Sequence, residues 1–161
     1  MSVQRLLHWF DRIAVMNAGQ ILQVGTPEAV FRKPYSEFVA NFVGVENLFK
    51  GKSVNDTDTG IAYIDVNGIL IVSTSCKSGD VFISIRPEDI LVATKRIETS
   101  ARNTYRGEIT EIIDWGAIMR IEVDVGISFA VVITKRSFED LALREGMLVY
   151  ITFKASAVHV F

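Results

Sequence analysis

The sequence predicts a mainly β protein, built as a small closed barrel or barrels behind a short segment of mixed helix and strand. Apolar and polar residues alternate in several short stretches, and Ile121, Val123 and Val125 place one apolar face on such a stretch. Turn-forming residues separate these stretches, with Asn67-Gly68 as the clearest hairpin signal. Helix-capping residues concentrate before residue 44. Together these patterns favour a barrel over a helical bundle.

Residues 1–44 contain the predicted helices and one hairpin. Residues 2–10 have a helical pattern, and Asn17–Gly19 form a turn between two short strands. Thr26 and Ser36 are each followed by a short helical pattern, so both are predicted N-caps. Pro34 should end the first of these two helices, and Gly44 the second.

Residues 45–161 are predicted to be β, with one short helix. In the strand at 81–85 the side chains of Val81, Ile83 and Ile85 should share a buried face. Ser137 is the predicted N-cap of the helix. The last part of the chain reads as one long or two short strands that include residues 154–156. Residues 45–97 and 98–161 have strands of similar spacing but no recognised repeated motif.

Composition narrows the classes of function. The chain has 161 residues, 49% of them hydrophobic, and a formal net charge of -2, which argues against an overall basic nucleic-acid binder. One cysteine cannot form an internal disulfide and fits a reducing compartment. No apolar run reaches the roughly 20 residues that a membrane-spanning helix needs. We therefore expect a cytoplasmic protein that binds no nucleic acid.

Several familiar motifs are incomplete. Gly51-Lys52-Ser53 lacks the preceding glycine of a phosphate-binding loop, because position 46 is Glu. His8 and His159 are far apart, and one cysteine cannot complete a zinc site with them. Acid pairs such as Glu88-Asp89 fall at turns, where they suit a helix dipole better than acid–base chemistry. We predict no metal site and no catalytic residue.

Two clusters of hydrogen-bond donors without acids stand out. One precedes the strand that begins near residue 103, and the other lies in the last strand. A tetrahedral oxyanion needs several donors and no nearby carboxylate, and both clusters meet that need. The plainer reading is an exposed polar strand entry, which composition alone favours. The candidate oxyanion-binding residues are Ser100, Ala101, Arg102, Asn103, Lys154, Ala155 and Ser156.

Three stretches resemble known families. The stretch from Asp11 to Phe49, which includes "DRIAVMNAGQILQVGTPEAVF", closely resembles the end of the nucleotide-binding domain of ABC importer ATPases. The stretch "VFISIRPEDILV" resembles the transport-associated OB-type domain that follows it in such ATPases. The stretch from Ser100 to the C-terminus resembles the molybdate-binding Mop, or molbindin, module, at "SARN", "ITKRS" and "FKASAVHV".

The resemblance implies a domain organisation. Residues 1–44 would be the C-terminal remnant of a nucleotide-binding domain, and residues 45–161 an OB-like regulatory barrel. That barrel would have a first half at 45–97 and a Mop-like second half at 98–161. The ATP-binding and catalytic motifs would lie upstream, so we expect ATP only there and no enzyme activity in this chain.

The resemblance also implies a function. The chain would belong to a molybdate or tungstate importer and bind either oxyanion as a regulatory ligand, with no tightly bound cofactor. Its partners would be a second copy, the rest of the ATPase and, through it, the permease at the inner face of the membrane. Oxyanion at the dimer interface would feed back on transport. Ala157 stands where a further polar donor is expected.

Two other functions stay open. One is a passive oxyanion-binding protein, which residues 11–49 argue against, because such a protein has no use for an ATPase segment. The other is a dimerisation module of an importer for another solute. Apart from its parent domain, the 1–44 segment is expected to expose apolar residues and to pack on a neighbouring chain. These residues are Leu6, Leu7, Trp9, Phe10, Val30 and Phe31.

Overall fold

The computed structural model describes residues 11–161, which fall into two units. The first unit ends at Val45, and the second covers Glu46–Val160. The predicted helix at 2–10 lies outside the described residues, as do His8 and the apolar residues Leu6, Leu7, Trp9 and Phe10. That residues 1–44 derive from a nucleotide-binding domain stays a prediction.

The first unit is a hairpin followed by two short helices. Ala18 and Gly19 form its turn with φ values of 47° and 77°, the left-handed conformation that a two-residue hairpin turn requires. The Thr26 and Ser36 hydroxyls accept hydrogen bonds from the third residue of each helix, so both predicted caps are confirmed. The elements are β1 (Ile13–Asn17), β2 (Gln20–Gly25), α1 (Pro27–Arg32) and α2 (Glu37–Phe42).

A small apolar core holds the first unit together. Val15, Val30 and Val39 are buried there from three different elements. The expectation that Val30 is exposed is therefore wrong, because the α1 face that carries it packs onto the hairpin. Phe31 is half-buried, and the large exposed side chains of α2 are Phe38 and Phe42.

The second unit contains ten strands in two sheets. The mainly β prediction is confirmed, and the strands at Val81–Ile85 and Ile121–Val123 bury the predicted face. Its elements are β3 (Asn47–Asp56), β4 (Ile61–Val66), β5 (Ile69–Ser73), β6 (Gly79–Ile85), β7 (Leu91–Ala93), β8 (Asn103–Asp114), β9 (Ile118–Asp124), β10 (Ser128–Thr134), α3 (Lys135–Asp140), β11 (Leu148–Phe153) and β12 (His159–Val160).

The two sheets have the same order and exchange their last strands. One sheet runs β5-β4-β3-β6-β12, and the other runs β10-β9-β8-β11-β7. The short strand β7 follows β6 in the chain but pairs with β11, and β12 follows β11 but pairs with β6. The predicted halves 45–97 and 98–161 therefore do not form separate sheets, since each completes the sheet of the other.

Pairing registers show that the second unit is an internal duplication. Gly51 pairs with Val81 in the first repeat, as Gly107 pairs with Val149 in the second. The motif Asn-x-aromatic-basic-Gly recurs in both repeats, so the expectation of no repeated motif is wrong. It reads Asn47, Phe49, Lys50 and Gly51 in the first repeat, and Asn103, Tyr105, Arg106 and Gly107 in the second.

The repeated glycine is required by close packing between neighbouring strands. A Cβ atom on Gly51 would lie 2.8 Å from the backbone oxygen of Asp65. A Cβ atom on Gly107 would collide with the backbone oxygen of Asp124 and lie 2.6 Å from Cγ1 of Val125. Backbone atoms of a paired strand cannot move away cheaply, so both positions exclude a side chain.

One apolar core lies between the two sheets, and aromatic rings fill its centre. Phe129 and Phe153 are fully buried, with ring centroids 5.7 Å apart. Phe49 and Tyr105, the repeated aromatic residues, both pack against Phe129, at 5.1 Å and 6.3 Å. The corresponding aromatic residues of the two repeats thus pack against the same ring, that of Phe129.

Two local predictions are corrected by the structure. The N-cap of α3 is Thr134 and not Ser137, because the Thr134 hydroxyl accepts the hydrogen bond from the Ser137 N–H. Residues 154–156 do not lie in a strand. Ala155–Ala157 form a 3-10 turn between β11 and β12, and Pro87–Asp89 form the matching turn between β6 and β7.

We expect Gly107→Ala to lower the free energy of unfolding by about 3 kcal/mol or more, because the added methyl group overlaps backbone of the paired strand. Urea unfolding, followed by circular dichroism, measures this change. Gly25→Ala is the control, since its Cβ would meet neighbours only at 3.5 Å. Equal midpoints for the two variants would contradict the packing argument.

Candidate functional site

Two buried asparagine side chains connect the two sheets. Asn47 donates from Nδ2 to the Ala130 oxygen at 2.8 Å, and its Oδ1 accepts from the Ala130 N–H at 2.7 Å. Asn103 makes the same pair of bonds with Val72, at 2.9 Å and 2.8 Å. Each amide therefore pairs with the backbone of β10 or β5, the outermost strand of the other sheet. Both asparagines are buried, so these bonds replace contacts with water.

A tyrosine reinforces the second of these connections. The Tyr105 hydroxyl donates to the Leu70 oxygen at 2.7 Å and lies 2.9 Å from Oδ1 of Asn103. Burial raises the pKa of the Tyr105 phenol above its ordinary value. The first repeat has Phe49 at the matching position, which has no hydroxyl, so the two repeats differ here.

A cleft of about 480 Å³ lies beside the start of β8. It brings together segments that are far apart in the sequence: the turn after β6, the residues before β8, and the end of β11 with the turn after it. Leu91 and Thr152, which line it, are paired between β7 and β11. The lining residues are Glu88, Asp89, Leu91, Thr99, Ala101, Thr152, Phe153, Lys154, Ser156 and Ala157.

The structure brings together only part of the predicted oxyanion set. Ala101, Lys154 and Ser156 line the cleft, whereas Ser100, Arg102, Asn103 and Ala155 do not. Ser100 and Arg102 are exposed. The Asn103 side-chain amide lies between the two sheets, where it is hydrogen-bonded to the backbone N–H and oxygen of Val72. The backbone N–H of Ala101 is bonded to the Thr99 hydroxyl at 3.3 Å.

Acids are present in the cleft, contrary to the expectation of an acid-free site. Glu88 and Asp89 line it from the turn after β6. Glu88 forms an ion pair with Arg86, so part of its charge is offset nearby. Lys154 makes no ion pair within residues 11–161. Within one copy, the cleft thus presents one lysine and two carboxylates.

Sequence reasoning missed Glu88 and Asp89 as site residues, along with Thr99 and Thr152. The repeated motif marks the first two only as counterparts of Ser156 and Ala157, and no signal in the sequence places them in this cleft. When Asn47 is aligned with Asn103, and β6 with β11, the segment "RPED" (86–89) corresponds to "KASA" (154–157). The two turns then have matching places in their repeats. Residues 11–161 contain no cluster of side chains suited to a metal ion and no helix long and apolar enough to cross a membrane.

Comparison with known sequences confirms the family resemblance. Residues 99–160 match the TOBE domain. The chain is 38% identical over 161 residues to the molybdate/tungstate import ATP-binding protein WtpC of Pyrococcus abyssi, covering 99% of this chain and 45% of the relative. It is 43% identical over 100 residues to the spermidine/putrescine import ATP-binding protein PotA of Fusobacterium nucleatum, covering 59% of this chain and 27% of that one. The chain spans less than half the length of both relatives.

A solved structure shares the fold. The crystal structure of the cytoplasmic molybdate-binding protein ModG, with molybdate bound, matches with a TM-score of 0.61 and 18% identity. The match covers 73% of this chain and 96% of ModG. It confirms the predicted fold class, a mainly β, OB-like fold.

We expect Asn103→Leu to lower the free energy of unfolding by about 2–6 kcal/mol, because the Val72 N–H and oxygen both lose their partners, at about 1–3 kcal/mol for each group. Tyr105→Phe should cost only about 1 kcal/mol, since it removes one hydroxyl and keeps the ring. Chemical denaturation of both variants measures the difference. An Asn103→Leu protein as stable as the parent would show that the amide is dispensable to the fold.

Proposed function

We propose that this chain, whose residues 99–160 form a TOBE domain, is the oxyanion-sensing regulatory part of an ABC importer ATP-binding subunit for molybdate or tungstate. The observation that carries the proposal is the cleft itself. Ala101 from one predicted donor segment and Lys154 and Ser156 from the other line it together. Similarity to a molybdate/tungstate import protein over 99% of the chain supports the choice of ligand.

The donor chemistry suits a tetrahedral oxyanion. Lys154 supplies a positive charge and makes no ion pair within residues 11–161, and Ser156 and Thr99 supply hydroxyl groups to the same cleft. Such donors bind without accepting a proton or attacking the ligand, so a reaction is not needed. Molybdate and tungstate are larger than sulfate, and a cage of fixed size can discriminate against the smaller ion.

The charge balance of the cleft favours a site shared by two copies. One lysine cannot offset both a dianion and the carboxylates of Glu88 and Asp89 at short range. Arg102 and Ser100 are exposed and do not line the cleft of their own chain. In a homodimer they are free to complete the cleft of the partner. The complete site then exists only in the paired state.

A shared site gives a mechanism for feedback. An oxyanion that binds only the paired arrangement stabilises that arrangement by its differential affinity. The paired regulatory domains then bias the attached ATP-binding domains, which act on the permease at the cytoplasmic face of the membrane. In this proposal the chain itself hydrolyses nothing, and ATP binds elsewhere in the longer subunit.

The proposal predicts selective binding by the purified chain. Isothermal titration should give heat with molybdate and tungstate and none with sulfate at equal concentration. Arg102→Ala should weaken binding by about tenfold or more, the value of one charge-assisted hydrogen bond. Arg106→Ala is the matched control, since Arg106 is also exposed but lies on β8 away from the cleft lining. A folded chain that binds none of the three anions would refute the proposal.

A mixture of two inactive variants tests whether the site is shared. Arg102→Ala and Lys154→Ala chains should each bind poorly when alone. In a mixed dimer, one of the two clefts receives an intact Lys154 and an intact Arg102 from different chains. Random pairing in an equal mixture makes about half of the dimers mixed, so about a quarter of the binding capacity should return on mixing. Titration of the re-equilibrated mixture measures it. No recovery, with mixed dimers verified by differential tagging, would place both residues in the same chain's site.

One observation favours a second candidate function. The carboxylates of Glu88 and Asp89 suit a cation better than an anion, and one relative is a spermidine/putrescine import protein. The chain would then be the dimerisation module of an importer for another solute. Spermidine belongs in the same titration series: heat with spermidine and none with molybdate would select this function.

A further inference from the structure

We propose that two copies of the chain pair through the outer face of β3, β4 and β5. The residues of this apolar face are Val54, Tyr63, Leu70 and Val72. The assignment rests on the proposed function, which needs a second copy of the chain but does not name the surface that holds it.

Strand register places three residues of the apolar face in one row. Val54 pairs with Tyr63, and Tyr63 pairs with Val72. Leu70 lies two residues before Val72, so its side chain belongs to the same face of β5. The row faces away from the core, with Val54 65%, Leu70 53% and Tyr63 40% exposed. The residues that alternate with the row along the three strands are buried, namely Ser53, Ala62, Ile64, Ile71 and Ser73.

The corresponding row of the second repeat is charged. Val72 corresponds to Ala130, because the backbone of each is bonded to the side chain of a repeated asparagine. Ala130 pairs with Glu122, and Glu122 pairs with Glu111. Arg120 contacts these two carboxylates at 2.8 Å and 3.7 Å. Two repeats with the same strand frame therefore have opposite outer surfaces, ionic in the second and apolar in the first.

This contrast marks the apolar face as a surface that another protein covers. The centres of protein interfaces are depleted in charged residues and enriched in aromatic ones. Val54 and Tyr63 lie where the second repeat has Glu111 and Glu122. The first repeat thus has the composition of an interface centre, whereas the second has that of a surface in contact with water.

Three observations identify the covering protein as a second copy. Val72 is bonded to Asn103, and the exposed Arg102, which the proposed function assigns to the partner's cleft, comes directly before Asn103. In a two-fold contact the same residues meet each other, so a face without charge does not repel its own copy. Lys52 lies opposite Asp65 in the next row, so the rim of the face carries both signs of charge.

The size of the apolar face makes the pairing sensitive to ligand. A stable interface takes roughly 20–30 residues from each partner, whereas this face offers four apolar side chains. Two copies should therefore pair weakly without anion. An oxyanion that contacts the cleft of one copy and Arg102 of the other adds the contacts that the face lacks, so it strengthens the pairing.

Sedimentation equilibrium of the full chain tests this assignment. The parent should form a weak dimer, and molybdate should lower its dissociation constant by about tenfold or more. Without molybdate, Val54→Lys should raise that constant by about tenfold or more, because two ammonium groups are brought together at the contact. Leu148→Lys is the matched control, since Leu148 is 50% exposed on β11 of the other sheet, and it should change the constant by about threefold or less. Thermal unfolding verifies that both variants fold.

Three outcomes would overturn the assignment: a dimer that Val54→Lys leaves unchanged, equal losses in both variants, and a parent that stays monomeric with saturating molybdate. An unchanged dimer would place the contact elsewhere, such as on the exposed rings of Phe38 and Phe42. Molybdate binding, measured separately by titration, would still support the oxyanion function in each case. A dimer that depends on Val54 in a chain that binds no molybdate would support the apolar face and overturn the oxyanion function.

Discussion

The larger unit depends on two side-chain amides that act as substitutes for strand pairing. β5 and β10 each end a sheet, and each has backbone groups that no further strand satisfies. Asn47 and Asn103 supply the missing donor and acceptor with one planar group each. These bonds hold the two sheets in a fixed arrangement, and the aromatic cluster around Phe129 fills the core between them.

The same amide fixes the position of the cleft. Asn103 is the first residue of β8, so anchoring its side chain also anchors the residues just before it. Thr99 and Ala101 line the cleft directly from that anchored segment. A residue first considered as a ligand donor is therefore better understood as a support for its neighbours, since its side chain is fully buried and engaged.

Local signals in the sequence predicted local structure well. The hairpin at Asn67-Gly68 forms with φ values of 51° and 87°, and the caps at Thr26 and Ser36 form as expected. These features depend on a few adjacent residues. The cap of α3 was misassigned because Thr134 and Ser137 both have suitable hydroxyls, and only the strand that ends at Thr134 decides between them.

Long-range features were less accessible from the sequence. The convergence of residues 100–103 with 154–156 was predicted from two donor clusters and from the family resemblance, and of these residues Ala101, Lys154 and Ser156 line one cleft. Glu88 and Asp89 were missed, because their place in the cleft depends on β7 joining the sheet of the other repeat. Neither composition nor spacing reveals that exchange, since β7 and β12 are only three and two residues long.

The exchange of β7 and β12 has a topological consequence. Each repeat on its own lacks the last strand of its sheet and carries the last strand of the other repeat's sheet. Two separate copies of a single repeat could therefore build the same body as a domain-swapped dimer, and the link at residues 94–102 only makes that association permanent. The larger unit is in this sense two repeats that one covalent link holds together as a pair.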